Sequence, residues 1–121
     1  MAHILLVDDE EGVRGFLKRG LEIDGHAVVT AVDGEDGLAR LDQHQGRFDL
    51  LLTDIRMPIM DGIALAHAAK RSYPELPIML MTGFADQRER ASSLDGVVID
   101  VLTKPFSLAE LRTSVREALN S

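Results

Sequence analysis

"LLLTDIRMPIMDG", residues 50–62, decides how the chain is read. Leu50-Leu51-Leu52 is continuously apolar and too short for a helix. Strands covered on both faces of a parallel sheet read this way. The run ends in an acid, Asp54. Pro58 and Asp61-Gly62 then punctuate a turn and start a new element. A fully covered strand is therefore expected to deliver a carboxylate at its carboxyl end. Asp54 is either a turn residue or a group with chemistry to do.

Four more short apolar runs recur: "HILLV" (3–7), "AVVTAV" (27–32), "PIMLMT" (77–82) and "VVIDVL" (97–102). Helical patterns lie between them. Val13, Phe16, Leu17 and Leu21 have the spacing of one helix face. Leu38 and Leu41 mark a second helix. "DGIALAHAAKRS" (61–72) is rich in alanine, the strongest helix former, with Asp61 placed as its N-cap. Residues 86–94 are a weaker, polar candidate. Leu108, Leu111, Val115 and Leu119 form the last stripe, and Ser107 with Glu110 has the capping-box spacing. Strand and helix alternate five times. That pattern predicts a doubly wound α/β fold of three layers with a parallel five-stranded sheet. The flavodoxin-like order 2-1-3-4-5 is the common solution for five strands.

With 121 residues, one domain over 1–121 is expected, with no output domain. The net charge of −7 argues against direct nucleic-acid binding, which needs a basic footprint. The absence of cysteine excludes disulfides, zinc–thiolate sites and thiol catalysis. No apolar run approaches the ~18 residues of a membrane span, and "MAHILLVDDEE" lacks the layout of a signal peptide. A cytoplasmic protein is expected. His3, His26, His44 and His67 show no ligand spacing and read as structural or surface residues. The methionines at 57, 60, 79 and 81 read as turn and core packing.

Ligands of open α/β sheets bind outside the carboxyl ends of the strands. There the five runs deliver Asp8-Asp9, then Asp33-Gly34, Asp54, Thr82-Gly83 and Lys104-Pro105. Asp33-Gly34 looks like an ordinary helix start. Taken singly, the others have ordinary roles too. Asp8 or Asp9 can cap a helix, Thr82 can end a strand, and Lys104 can be solvated. Together, three acids, a hydroxyl and a lysine on one sheet edge form a constellation. Two carboxylates ~4 Å apart repel by about 4 kcal/mol at an effective dielectric near 20. Such a cluster raises at least one pKa unless a cation joins it. Few, hard oxygen ligands suit Mg²⁺. An ionised Asp54 can then attack a phosphoryl group and form an aspartyl phosphate. Lys104 and Thr82 can neutralise and hydrogen-bond its oxygens, and the small Gly83 leaves room.

"ILLVDDE", "LLLTDIRMPIMDG", "PIMLMTG" and "VLTKPF" resemble the signature segments of the CheY-like receiver domains of response regulators. The resemblance spans essentially the whole chain, with 45 residues from Asp9 to Asp54, 28 on to Thr82 and 22 on to Lys104. It implies that Asp54 accepts a phosphoryl group from a phosphohistidine on a sensor histidine kinase or a histidine phosphotransfer protein. It implies Mg²⁺ held by Asp9, Asp54, the backbone carbonyl of Arg56 and, through water, Asp8. It also implies a cis Lys104–Pro105 bond and a Thr82 that moves toward the phosphate. The protein would not be an enzyme toward outside substrates. It would signal to a downstream protein through the face made by the fourth predicted helix (86–94), the fifth strand and the last helix.

One position departs from the pattern. Receivers generally carry Tyr or Phe three residues before the lysine, and here Val101 stands there. Either an altered readout or a tolerant strand position accounts for it. Phe84, two past the threonine, is expected to shield an aspartyl phosphate from water. The segments also resemble small single-domain regulators of the CpdR type, adaptors for a ClpXP-type protease when unphosphorylated. Three other readings stay open. An aspartyl-phosphate phosphohydrolase would usually show D-x-D at the nucleophile, where this chain has Asp54-Ile55-Arg56. A flavodoxin-like cofactor carrier would need a phosphate-binding loop where "DDEEG" stands. A receiver cut from a DNA-binding regulator would look like this chain.

Overall fold

A computed structural model describes residues 2–83, 94 and 96–120. Strands β1 (His3–Val7), β2 (Ala27–Ala31), β3 (Leu50–Asp54), β4 (Ile78–Thr82) and β5 (Asp100–Thr103) form one parallel sheet in the order β2-β1-β3-β4-β5. Helices α1 (Glu11–Ile23), α2 (Gly34–Gln43), α3 (Gly62–Ser72) and α4 (Leu108–Leu119) are the four described. This is the doubly wound, flavodoxin-like architecture that the alternation predicts.

The apolar runs are continuous because both sheet faces are covered. Leu5, Val7, Leu51, Ile78 and Leu80 pack with Leu41 of α2 and with Leu65, Ala66 and Ala69 of α3. Ile4, Leu6, Leu50, Leu52, Met79 and Met81 face the other way, onto Leu17 and Leu21 of α1 and Leu111 and Val115 of α4. Successive strand residues alternate between the two layers, as a period of two requires. Asp33 and Asp61 are N-caps, accepting from the backbone N–H of Asp36 (2.7 Å) and Ala64 (2.8 Å). Ser107 and Glu110 make the reciprocal capping box that starts α4.

Two expectations change. Phe16 belongs to the apolar stripe of α1 by spacing, yet it is 55% exposed while Leu17 and Leu21 are buried. The stripe is narrower than the pattern suggests, because only its central line meets the sheet. The fifth strand starts later than the run at 97–102. The N–H groups of Val97 and Val98 donate to the Leu94 carbonyl in a turn that contains Gly96 at φ 86°. Pairing with β4 therefore begins at the Ile99 N–H, which donates to Ile78. The helix candidate at 86–94 and Phe84 lie outside the described residues, save for Leu94, a buried turn residue.

Candidate functional site

Register builds the site. Val7 pairs with Thr53, Asp54 with Met81, and Thr82 with Thr103. The carboxyl ends of β1, β3, β4 and β5 therefore stand in a row. The Lys104 N–H also donates to the Thr82 carbonyl (2.7 Å), which ties the last two ends together.

Asp8, Asp9 and Asp54 offer carboxylate oxygens that all lie within 4.8 Å of one another. Asp8 is fully buried, Asp54 nearly so, and Asp9 is exposed. The Lys104 ammonium sits 3.4 Å from Asp54 Oδ2 and 3.8 Å from Asp8 Oδ2. Asp54 Oδ1 accepts from the Ile55 N–H at 3.0 Å. Thr82 is buried beside them at the end of β4. Asp8, Asp9, Asp54 and Lys104 thus converge, with Thr82 ending the strand between Asp54 and Lys104, while Asp33 serves as the α2 N-cap and Arg56 is exposed on the loop that leaves β3.

The capping alternative for Asp8 is settled by geometry. The N-cap of α1 is Glu10, with no side-chain cap bond. Asp8 Oδ1 instead accepts from the Glu10 N–H at 2.9 Å. Among the described residues, a Cβ on Gly83 would meet the Lys104 side chain at an ordinary 3.8 Å, so packing does not demand its small size. Val101 is a half-buried residue of β5 packed on the α2–α3 core. Lys104–Pro105 is cis.

Sequence reasoning places Pro58 and Asp61-Gly62 in the turn after Asp54, but not the close approach that requires a glycine at 62 or the role of Ile59. A Cβ on Gly62 would fall 2.1 Å from the Asp54 carbonyl oxygen, and the Gly62 N–H donates to Ile55 (2.8 Å). Only glycine lets α3 start this close to the backbone of β3. Between these anchors, Met60 N–H donates to the Pro58 carbonyl (2.8 Å) around Ile59 at φ 71°. A three-residue turn with a positive central φ is rare and strained, and a β-branched residue makes it more so.

Residues 4–116 match the family model for the response regulator receiver domain. The chain belongs to that family. It is 34% identical over 116 residues to the transcriptional regulatory protein PrrA of Mycobacterium tuberculosis, covering 96% of this chain and 49% of PrrA. It is 36% identical over 116 residues to the response regulator MprA of Mycobacterium leprae, covering 96% of this chain and 50% of MprA. The chain thus spans about half the length of the curated relatives it matches. A receiver domain protein from Clostridium thermocellum superposes with a TM-score of 0.91 at 28% identity, covering 99% of this chain and 95% of that one. The response regulator TrrA of Thermotoga maritima, solved in complex with Mg²⁺ and BeF, superposes with a TM-score of 0.86 at 31% identity, covering 98% and 99%.

As a receiver of two-component signalling, the domain belongs to a class that takes phosphoryl groups from histidine kinases. Its acidic pocket is suited to a divalent cation on electrostatic grounds. Burial pushes the Asp8 and Asp54 carboxyls above the usual range, against the opposing pull of Lys104. Asp8 Oδ2 is buried and has no hydrogen-bond partner among the described residues. A buried carboxylate oxygen in that condition is costly, and an oxygen-seeking cation would satisfy it. Among the described residues, no helix is long and apolar enough to cross a membrane.

Proposed function

We propose that Asp54 is the phosphoryl acceptor and that Asp8, Asp9, Asp54 and the Arg56 carbonyl hold Mg²⁺. One observation carries this reading. A buried carboxylate at the end of the central strand faces a lysine, within 4.8 Å of two further acids. Mg²⁺, when bound, supplies charge neutralisation at a phosphoryl oxygen. The Mg²⁺ and BeF carried by TrrA support that choice of cation.

An Asp54 oxygen attacks the phosphorus of a phosphohistidine on a kinase or phosphotransfer protein. The P–N bond breaks and the imidazole leaves. The chain contributes mainly position and charge, as phosphoryl transfer requires. The Ile55 N–H fixes one Asp54 oxygen. The Lys104 ammonium neutralises a phosphoryl oxygen, and the Thr82 hydroxyl donates to another. The domain acts on no outside substrate. Its output is contact with a downstream protein through a face that includes β5 and α4. Val101 there offers no ring to reorient, so the readout runs through the backbone of the β4 and β5 ends, which the Thr82–Lys104 bond joins.

Acetyl phosphate with Mg²⁺ should add one phosphoryl group by intact mass. The adduct should vanish in Asp54→Ala and with a chelator. An adduct that survives Asp54→Ala overturns the assignment.

A further inference from the structure

Asp8 is held at every hydrogen-bonding position but one. Its N–H donates to the Ala31 carbonyl at 3.2 Å. Its Oδ1 accepts from the Glu10 N–H at 2.9 Å. Its carbonyl accepts from Arg14 Nη1 at 2.8 Å, across six residues. Only Oδ2 is left over: it is buried with no hydrogen-bond partner among the described residues, and the Lys104 ammonium stands 3.8 Å away. Arg14 sits in the first turns of α1, half-buried, and its own N–H donates to Glu10 (2.8 Å). The side chain therefore reaches back over the acidic segment that its helix follows.

We propose that Arg14 is a positioning residue of the acidic cluster. By clamping the Asp8 carbonyl it fixes the turn that carries Asp8 and Asp9, and so aims Asp8 Oδ2 at the cation. This rests on the cation site proposed above. The physical need is specific. The segment from Asp8 to Glu10 leaves the sheet, and the Asp8 N–H bond to the Ala31 carbonyl is its last tie to the neighbouring strand. The helix N-cap offers no side-chain bond in its place. Three acids in that segment repel one another and would splay it. A guanidinium donates to a carbonyl through a charge-assisted bond, stronger than a neutral one. It does so without touching the carboxylates, which stay available. Groups that orient a metal's ligands are worth about 10–100-fold in metal affinity.

The test is Mn²⁺ titration of the full chain, with free Mn²⁺ read by electron paramagnetic resonance. Arg14→Ala should weaken binding about tenfold. Arg14→Lys, which keeps a cationic donor but not the planar fork, should recover part of the loss. Melting of the metal-free variants, followed by circular dichroism, separates positioning from fold support. A melting temperature near that of the wild type with weakened Mn²⁺ binding supports the proposal. Mn²⁺ affinity of Arg14→Ala within twofold of wild type overturns it. Both variants unfolded without metal also overturns it, since Arg14 would then hold the fold rather than the cluster. A wild type that binds no Mn²⁺ sinks the cation site itself, and Arg14's role with it.

Discussion

The two ends of the sheet treat the same residue type in opposite ways. At the amino end, Asp24 caps the carboxyl terminus of α1 and meets Arg112 of α4. Arg112 Nε donates to Oδ2 at 2.8 Å, and Nη2 donates to Oδ1. Both carboxylate oxygens are satisfied, and that hydrogen bonding holds the Asp24 carboxyl below its usual range. At the carboxyl end, burial drives Asp8 and Asp54 the other way, and one lysine serves both. A finished ion pair is structure. An acid cluster short of positive charge is suited to a cation. The backbone repeats the contrast. Beside Asp24 the positive φ of 88° falls on Gly25, which adopts it freely. In the loop after Asp54 the positive φ of 71° falls on Ile59, 77% exposed.

The largest effect should come from removing charge at the unfinished end. Asp8→Asn should raise metal-free stability by roughly 1–3 kcal/mol, the scale of an unsatisfied buried group. The same change should abolish the stabilisation that Mg²⁺ is expected to give the wild type. Urea unfolding with and without Mg²⁺ checks both. A destabilised Asp8→Asn that still responds to Mg²⁺ would break the contrast.

The pH dependence should have opposite signs at the two ends. The folded-state values of Asp8 and Asp54 are raised above the unfolded 3.8. Between the two values the folded chain binds more protons than the unfolded chain. Their effect on metal-free stability therefore falls as pH rises from near 3.8 through the raised values. Asp24 is lowered instead. Its contribution is present above the unfolded value and is lost as pH falls through the folded one. Asp8→Asn should flatten the first limb of a stability–pH curve, and Arg112→Met the second. If the two variants change the same limb, the distinction fails.

A smaller effect belongs to the backbone. Ile59→Gly should stabilise the fold by about 1 kcal/mol, the scale of a left-handed penalty for a residue with a Cβ. Gly25→Ala should lower stability by a similar amount. Thermal melting in chelator measures both. A loss of stability in Ile59→Gly would mean that its side chain contributes more than its φ costs.

Much of this was legible in the chain because short apolar runs mark covered strands, and each run's last residue marks the ligand edge. Asp8, Asp54, Thr82 and Lys104 could be named because strand ends need no side-chain geometry to locate. Arg14 could not, because a helical arginine that reaches back to a carbonyl carries no signal in spacing. Gly62 looked like helix punctuation, since its approach to the Asp54 carbonyl depends on how α3 packs. Phe16 misled for the related reason that a periodic stripe does not state its width. The late start of β5 turned on a backbone turn that valines alone would not suggest.

If the carboxyl-end cluster lets Asp54 take a phosphoryl group, the product is an acyl phosphate. An acyl phosphate is reduced by borohydride to an alcohol, so the acceptor aspartate becomes homoserine. The chain should be treated with acetyl phosphate and Mg²⁺, reduced, digested and sequenced by mass spectrometry. Homoserine should appear at position 54 and nowhere else. Homoserine at 8 or 9, or none at any position after confirmed uptake, would contradict it.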